Sequence, residues 1–322
     1  MTTPFKLLIF GVPLSLVLFA FGLSMGEMDA SLLHLFDNGS MGQFVLLHLR
    51  FPRIITAFIV GGCLAVAGAS FQGVFQNDLA DPYILGVSSG AGLGAAVSIF
   101  LKLSRWSPFL IPICALVGAL ISILVVYAIV RARPQTQQNQ FILAGIIVNT
   151  FFSACMALLL YLANQDLFSI MQWLLGDLEM AHPMWLWFSG FSLLILTAVL
   201  CCLAYSLNII SLGDDTATAL GVSVPRMRLV IFLLASFLTG IAVATAGIIG
   251  FVGLIVPHMI RRVAKDDFRW LIPLSLLYGG IFLMCCDLIS KNLMRSGQIP
   301  IGIICSFVGA PFFLFLLLRK PR

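Results

Sequence analysis

The sequence predicts an all-α polytopic membrane protein. Of its 322 residues, 61% are hydrophobic and only 10% are charged, and the mean hydropathy is +1.09. A soluble domain has about 25% charged residues, so this chain has too little polar surface to cover a globule in water. Apolar runs close to the ~20 residues that cross a bilayer recur along the chain. The runs are continuous rather than alternating, which argues against a transmembrane β-barrel.

We predict ten transmembrane helices. They cover residues 5–24, 44–71, 84–101, 108–130, 140–163, 184–205, 228–247, 249–264, 271–290 and 300–318. The first run is treated as a retained span, because only Lys6 precedes it and no clear small-residue cleavage site follows. The eight cysteines lie inside apolar runs without CxxC or Cys/His ligand spacing, so we interpret them as small core residues.

The apolar run from Arg228 to Arg261 is too long for one crossing and short for two. Basic residues flank both of its ends, and lysine and arginine favour the cytoplasmic side. The number of crossings should therefore be even. We expect the turn near residues 246–250 and two short arms, at least one of which is shorter than the bilayer or partly re-entrant.

Charge predicts the orientation. With ten spans and a cytoplasmic N-terminus, most of the loop lysines and arginines fall in the cytoplasm, as the positive-inside rule requires. Both termini are then cytoplasmic, and residues 72–83 form an inner turn between the second and third spans. Asp81-Pro82 should end one helix and start the next, with Asp81 as a cap.

Small residues open the third span. Gly86, Gly90 and Gly94 are spaced by one helical turn, which predicts a face where another helix backbone approaches closely. The string GAGLG that contains two of them is not interpreted as a dinucleotide loop, because no strand precedes it.

One cytoplasmic segment, residues 205–228, is longer than a turn requires. Its inner part, GDDTATALGV, predicts a short helix with Asp214 or Asp215 as the cap, about two turns and Gly221 as the stop. Such a helix is either a solvated connector or a docking element for a soluble partner, and the residues alone leave both alternatives open.

The motifs argue against several functions. The sequence has no GxxxxGK[ST] motif, so any ATP hydrolysis belongs to another chain. It lacks HExxH, and His258 has no paired acid or nucleophile nearby, so we expect no catalytic residues and no metal site. The mid-span carboxylates expected of a proton-coupled transporter are also missing. Asp287 comes closest, but it is expected near an outer end, in an i,i+4 pair with Lys291.

Several strings together resemble one family, the FecCD/BtuC-like permease subunits of ATP-binding cassette (ABC) importers for iron–siderophore complexes, haem and cobalamin. The strings are LRFPRIITAFIVGGCLAVAGASFQGVFQNDLADPYILGVSSGAGLGA (49–95), FILAGIIVNTFFSA (141–154), WLLGDL (173–178), GDDTATALGV (213–222), GIIGFVGLIVPHMIRR (247–262) and QIPIGIICSFVGAPFFLFLLLRK (298–320). The resemblance runs from about residue 45 to the C-terminus. It implies a type II importer permease fold of ten spans in a single domain, residues 1–322, with a coupling segment at 206–227.

The resemblance also implies partners. These are a second permease copy, expected to be identical, two cytoplasmic ATPase subunits that hold ATP and Mg, and an outer substrate-binding protein. No cofactor is expected on this chain itself, and no nucleic-acid partner. The surrounding membrane is expected to be the bacterial inner membrane.

Functional residues follow from the same resemblance. The coupling helix that sits in a cleft of each ATPase would comprise Asp214, Asp215, Thr216, Ala219, Leu220 and Gly221, with Arg226 less surely. Docking of the binding protein's glutamates would fall to Arg50, Arg53, Lys291 and Arg295; the alternative for the first two is anchoring at lipid headgroups. Gln138 and Asn139 would form a cytoplasmic gate. Asn149 either lines the path or makes a helix–helix hydrogen bond.

The function so predicted is import of a bulky iron chelate, haem or cobalamin by alternating access, driven by a separate ATPase. The alternative is a secondary transporter driven by an ion gradient. The sequence departs from the family at Asp78, Asp177, Asp215 and Gln298, where Pro, Ser, Glu and Glu are frequent. These departures prevent the assignment of one cargo by similarity.

Overall fold

A computed structural model describes residues 3–25, 40–83, 85–132, 138–163, 166–179, 183–264, 266–293 and 298–318. Within these ranges the regular structure is helical and no strand occurs. The helices are α1 Thr3–Ser24, α2 Met41–Val45, α3 Phe51–Val74, α4 Val87–Phe100, α5 Leu110–Arg131, α6 Gln138–Leu162, α7 Leu167–Leu174, α8 Pro183–Cys202, α9 Ala204–Ile210, α10 Asp214–Ala219, α11 Val224–Ala246, α12 Val252–Ala264, α13 Phe268–Asn292 and α14 Ile301–Leu318. A π-helical turn, Leu46–Arg50, joins α2 to α3, and a 3₁₀ turn, Leu103–Arg105, follows α4.

A helix occupies each of the ten predicted spans, but their lengths differ. Seven helical segments within the described residues are long and apolar enough to cross a membrane: α1, α2 with α3, α5, α6, α8, α11 and α13. By contrast, α4 has 14 residues, α12 has 13 and α14 has 18. The count of ten crossings and the position of the termini stay predictions. We call the end of the bundle that carries α10 the inner end, following the predicted orientation, and the opposite end the outer end.

Helix α3 is the centre of the bundle. In an apolar 18-residue stretch of the continuous helix Met41–Val74, 89% of the residues are buried, and α13, α11, α12 and α8 pack around α3. Small residues permit the close approach: Gly61 faces the backbone of Gly279 in α13, and Gly68 faces Gly253 in α12. The hydrophobic effect does not drive helices together inside a lipid bilayer, so their association depends on close van der Waals packing of this kind.

The second packing centre joins α4 to α5. An ideal Cβ on Gly90 would lie 2.5 Å from the carbonyl oxygen of Gly118, and one on Gly94 would lie closer still to that of Cys114. Gly86 differs from the expectation, because it precedes α4 and has a φ of +81°.

The break between α3 and α4 lies three residues later than predicted, at residues 75–86 instead of 72–83. Helix α3 ends at Val74 and α4 begins at Val87, so Asp81-Pro82 neither ends one helix nor starts the next. Asp81 does not cap α4; its carboxylate accepts the N–H of Tyr83 at 2.9 Å instead. The prediction for Asp81-Pro82 failed because it assumed that the chain inside the bundle is helical throughout. Gly86 lies against Ser122 and the backbone of Asn149, both near the middle of their helices, so the chain enters the bundle before α4 begins.

Helices α11 and α12 follow the predicted pair of arms in part. The turn comprises residues 247–251, where Gly247 has a φ of +74° and Phe251 a φ of +70°. Helix α12 is short as expected, but α11 is a full 23 residues, because it begins at Val224, before the apolar run. Tyr83 binds the turn, since its hydroxyl donates to the carbonyl of Ile249 at 2.7 Å and accepts from that residue's N–H at 3.1 Å. Irregular backbone at membrane depth requires such internal partners.

Candidate functional site

The predicted coupling segment forms a short helix at the inner end. Helix α10 runs from Asp214 to Ala219 between two glycines with positive φ, Gly213 at +110° and Gly221 at +83°. The stop at Gly221 is where the sequence places it. The predicted cap is wrong, because Gly213 occupies the cap position and no side chain caps α10. The carboxylate of Asp214 is instead directed to another helix.

A small apolar core lies beneath α10. Ile210 and Ala217 are fully buried, and they pack with Ile209 of α9 and Val224 of α11. Ala217 is the buried residue of α10, so this helix presses only one side against the protein. The segment is therefore fixed in place, although it is short.

An ion pair ties α10 to α11 and α3. Nη2 of Arg228 lies 3.0 Å from both carboxylate oxygens of Asp214, and Nε donates to the carbonyl of Val74 at 3.3 Å. The amide of Gln76 donates to the carbonyl of Ile210 at 2.7 Å and to Asp214 at 3.2 Å. Val74 is the last residue of α3, so the central helix ends against the coupling segment.

A third contact holds α9 against α13. Asn208 donates its amide to the carboxylate of Asp267 at 2.7 Å and accepts the N–H of Phe268 at 2.8 Å. Asp267 is the N-cap of α13 and also binds the N–H and guanidinium of Arg269. Partial burial would raise the pKa of Asp267, but these hydrogen bonds outweigh it and hold that pKa below its ordinary value.

The opposite side of α10 is exposed. All seven residues predicted to contact an ATPase are exposed: Asp214, Asp215, Thr216, Ala219, Leu220, Gly221 and Arg226. Leu212 and Leu220 are 65% and 60% exposed at the two ends of the helix. The apolar core beneath α10, the ion pair of Arg228 and the contact of Asn208 hold this segment in place. Exposed leucines beside charged residues on such a fixed segment favour a protein contact over a solvated connector.

The outer end holds a buried ion cluster around Arg53. Its guanidinium contacts Asp287 of α13 at 2.7 Å, Glu179 at 2.5 Å and the amide oxygen of Gln298. Lys291 lies 2.7 Å from the other oxygen of Asp287, which confirms the predicted i,i+4 pair. The side chains of Arg53, Asp287 and Lys291 are 7%, 3% and 8% exposed, whereas that of Glu179 is 56% exposed.

This cluster changes the interpretation of the predicted docking residues. Arg53 and Lys291 share Asp287 inside the protein rather than extend from its surface. Arg50 is also buried, and it donates to the carbonyl of Leu23 at 2.7 Å. Arg295 lies outside the described residues. A cavity of about 250 Å³ opens beside Arg53, with Gln172, Asp177, Glu179 and Gln298 in its lining.

The predicted path residues lie along α6. Gln138 and Asn139 form the first turn of this helix, and their side chains lie outside what the structure describes. Asn149 is half-buried near the middle of α6, where its backbone faces Gly86. Its side chain makes no hydrogen bond to another described residue, so the alternative of a helix–helix hydrogen bond has no support here.

The departure at Asp78 has a partner that the sequence did not indicate. Its carboxylate lies 2.5 Å from Nη1 of Arg261 at the end of α12, and that guanidinium also lies 5.5 Å from the ring centre of Phe268. Nearby, protein atoms surround the carboxyl group of Asp81. Burial raises the pKa of Asp81 to about 6, although the hydrogen bond from Tyr83 acts in the opposite direction.

Comparisons with known proteins agree with this geometry. The model of the FecCD transport family matches residues 7–319, nearly the whole chain. The chain belongs to the FecCD transport family. This membrane permease is 36% identical over 313 residues to the hemin transport system permease protein HmuU of Yersinia pestis, covering 95% of this chain and 93% of HmuU. It is 38% identical over 285 residues to the cobalamin import system permease protein BtuC of Halobacterium salinarum, covering 85% and 73% of the two chains.

A solved structure gives the same fold for the FecCD permease. It is an inward-facing ABC transporter provisionally assigned to the metal-chelate type, with a TM-score of 0.87 and 30% identity over 97% of this chain and 98% of that one. The family consists of transport permease subunits, so this chain is not itself a catalyst.

Sequence reasoning missed three residues of the two clusters: Gln76, Glu179 and Arg228. Arg228 was assigned only to the positive-inside count. One signal was available for Arg228: it lies inside the helix α11, which begins at Val224, and a charge within a membrane helix needs a partner. The partners of Gln76 and Glu179 are more than a hundred positions away in sequence, so no local pattern indicates them.

Proposed function

We propose that this FecCD permease is the membrane subunit of an ABC importer for a bulky metal chelate, haem or cobalamin, and that a separate ATPase drives it by alternating access. The observation that carries the proposal is the exposed, firmly anchored α10 in a chain without a Walker motif. Movement of a docked ATPase would reach the bundle through this helix. Two such ATPases, a second permease copy and an outer binding protein complete the proposed assembly.

The outer cluster is proposed as part of the docking site for the binding protein. Arg53 is held near the surface by the exposed Glu179, whose carboxylate an incoming glutamate could replace. Opposite charges on the two proteins would steer docking and fix its register. Arg295 is proposed as a further contact of the binding protein, whereas Arg50 and Lys291, which are buried and bound inside the permease, are proposed to hold this end of the protein in place.

The cargo is proposed by class only. HmuU and BtuC are named for hemin and cobalamin, and the solved relative for metal chelates, so three cargoes are candidates. The direct test is reconstitution of the permease with a co-encoded ATPase in liposomes, with the binding protein inside or outside. Uptake of haemin, cyanocobalamin and a ferric siderophore is measured with ATP and Mg²⁺.

The expected result is uptake of one cargo that requires ATP, the binding protein and the ATPase together. Arg53→Glu is expected to abolish stimulation by the binding protein, while Arg105→Glu, at an exposed turn of the same end, serves as the control. Uptake without ATP that collapses with an uncoupler would instead support the ion-gradient alternative and overturn the proposal.

A further inference from the structure

We propose that Arg228 is a positioning residue that transmits movement of the coupling helix to the central helix α3. This inference rests on the proposed function, since it assumes that an ATPase docks on α10. The relay comprises Asp214 on α10, Arg228 on α11 and the α3 terminus at Val74–Gln76.

The burial of Arg228 is the first argument. Arg228 is 1% exposed, and its side chain is the largest fully buried one among the described residues. Arginine keeps its charge in proteins, so a buried guanidinium needs an anionic partner and further acceptors. Within the part of the chain that the structure describes, Asp214 is the carboxylate that pairs with it.

The direction of the contacts is the second argument. Both carboxylate oxygens of Asp214 are 3.0 Å from Nη2, while Nε points to the carbonyl of Val74 at 3.3 Å. One rigid, planar group thus binds the coupling helix on one side and the end of α3 on the other. If α10 moved away alone, the cation would remain buried without a partner. Helix α10, the start of α11 and the end of α3 should therefore move together.

Gln76 supplies the third argument. Its backbone has a φ of +47°, a left-handed conformation that is unfavourable for a residue with a side chain. In this conformation its amide reaches both Ile210, before α10, and the carboxylate of Asp214. Two side chains from different elements therefore meet the same aspartate, and the segment that follows α3 is held against the start of α10.

The continuity of α3 gives the relay its reach. The helix runs without a break from Phe51 to Val74. Its first turn, at the outer end, carries Arg53 and so takes part in the buried ion cluster. It packs against α13, α11, α12 and α8. A displacement of its inner terminus would thus be felt by most of the bundle.

Substitution of Arg228 distinguishes this relay from a direct contact with the ATPase. Asp214 and Asp215 are exposed and could act by touching the ATPase, but Arg228 lies beneath the surface. A loss of coupling on replacement of Arg228 would therefore act through the permease interior.

The experiment uses the full complex of permease, ATPase and binding protein in liposomes. The variants are Arg228→Lys, which keeps the charge but loses the planar fork, Asp214→Asn, which keeps the shape, and the double variant. The controls are Arg262→Lys and Asp266→Asn, exposed residues of the same end outside the relay. The measurements are assembled complex by size exclusion, ATP hydrolysis, and uptake of whichever of haemin, cyanocobalamin and ferric siderophore the wild type transports.

We expect each single relay variant to assemble and to hydrolyse ATP, but to transport about fivefold less cargo per ATP, with the controls unchanged. The double variant should be little worse than either single variant, because both remove the same interaction. A purely structural role would lower assembly and leave transport per ATP unchanged, which would overturn the relay.

Two other outcomes are also decisive. If Arg228→Lys fails to assemble, Asp214→Asn carries the test, because its side chain is half-exposed, and unchanged transport per ATP in this variant refutes the relay. If the wild type and both controls show no ATP hydrolysis stimulated by the binding protein, the proposed function itself fails and the relay fails with it.

Discussion

Alanine at Gly90 should force α4 and α5 apart. The added Cβ would meet the carbonyl oxygen of Gly118 at 2.5 Å and the Cβ of Ser122 at 2.7 Å, whereas ordinary contact begins at 3.4 Å. Neither atom is the far end of a flexible side chain, so the backbones themselves must move. Overpacking of this kind costs about 1–3 kcal/mol. The gain in helix propensity, about 1 kcal/mol for glycine to alanine, offsets part of that cost.

The structure ranks a series of such variants. Gly94→Ala should be worse than Gly90→Ala, because its Cβ would lie even closer to the carbonyl oxygen of Cys114. Gly190→Ala in α8 is the matched control, since its Cβ would meet only the end of the Ile59 side chain, with the terminal carbon at 3.2 Å. Gly90→Leu is expected to impair assembly.

Thermal unfolding of the purified permease in detergent checks this order. Each kcal/mol changes Tm by about 2–4 °C, so a net cost of up to about 2 kcal/mol should lower the Tm of Gly90→Ala by up to about 8 °C and that of Gly94→Ala by more. Gly190→Ala has the same gain in helix propensity with little overlap, so its Tm should equal or exceed that of the wild type. Equal Tm values for the three alanine variants, or normal levels of assembled and active Gly90→Leu transporter, would refute the close-packing argument.

Three further predictions concern charged residues. Asp287→Leu should lower stability by about 3–5 kcal/mol, because Arg53 and Lys291 are left buried with too few anionic partners; a Tm equal to that of the wild type in thermal unfolding would contradict this. Asp78→Pro should be tolerated with a loss of at most about 1 kcal/mol, because its ion pair with Arg261 is half-exposed and its N–H makes no hydrogen bond to another described residue; a loss of assembled protein on size exclusion would count against it. Asp81→Asn should stabilise the protein above pH 6 but not below pH 4. Because the folded pKa of Asp81 is raised to about 6, the wild type loses stability as the pH rises from the unfolded pKa of about 4 to 6, and asparagine does not. A Tm difference from the wild type that does not change with pH would show that ionisation of Asp81 is not the cause.

The helices were predictable from features of neighbouring residues, namely their hydropathy and the spacing of glycines. The apolar runs locate the helices that occupy the ten predicted spans, and Gly221 marks the end of α10. The glycine spacing in α4 indicates which face packs, because close helix approach in lipid selects for the smallest side chains. The break before α4 was not predictable, since a polar string reads as a surface turn even when part of it enters the bundle.

The candidate site divides in the same way. The pattern GDDTATALGV identifies the coupling helix but not what its first aspartate does, and a capping role was the wrong expectation. The basic residues Arg50 and Arg53 are visible in the sequence, but their partners are not. Arg53 contacts α13 and the segments around Glu179 and Gln298, and Arg50 donates to Leu23 of α1.

The sequence by itself determined the class of this protein: a helical membrane permease whose residues fit the FecCD pattern, since hydropathy and motif spacing are properties of neighbouring residues. Tertiary structure alone decided which charges are buried and, apart from the i,i+4 pair of Asp287 and Lys291, which residues they bind. Asp214 meets Arg228 and Gln76, and Arg53 meets Asp287, because α3 passes through the centre of the bundle and brings distant segments to its two ends. A buried charge is stable only beside its partner, and that pairing exists only once the helices have packed.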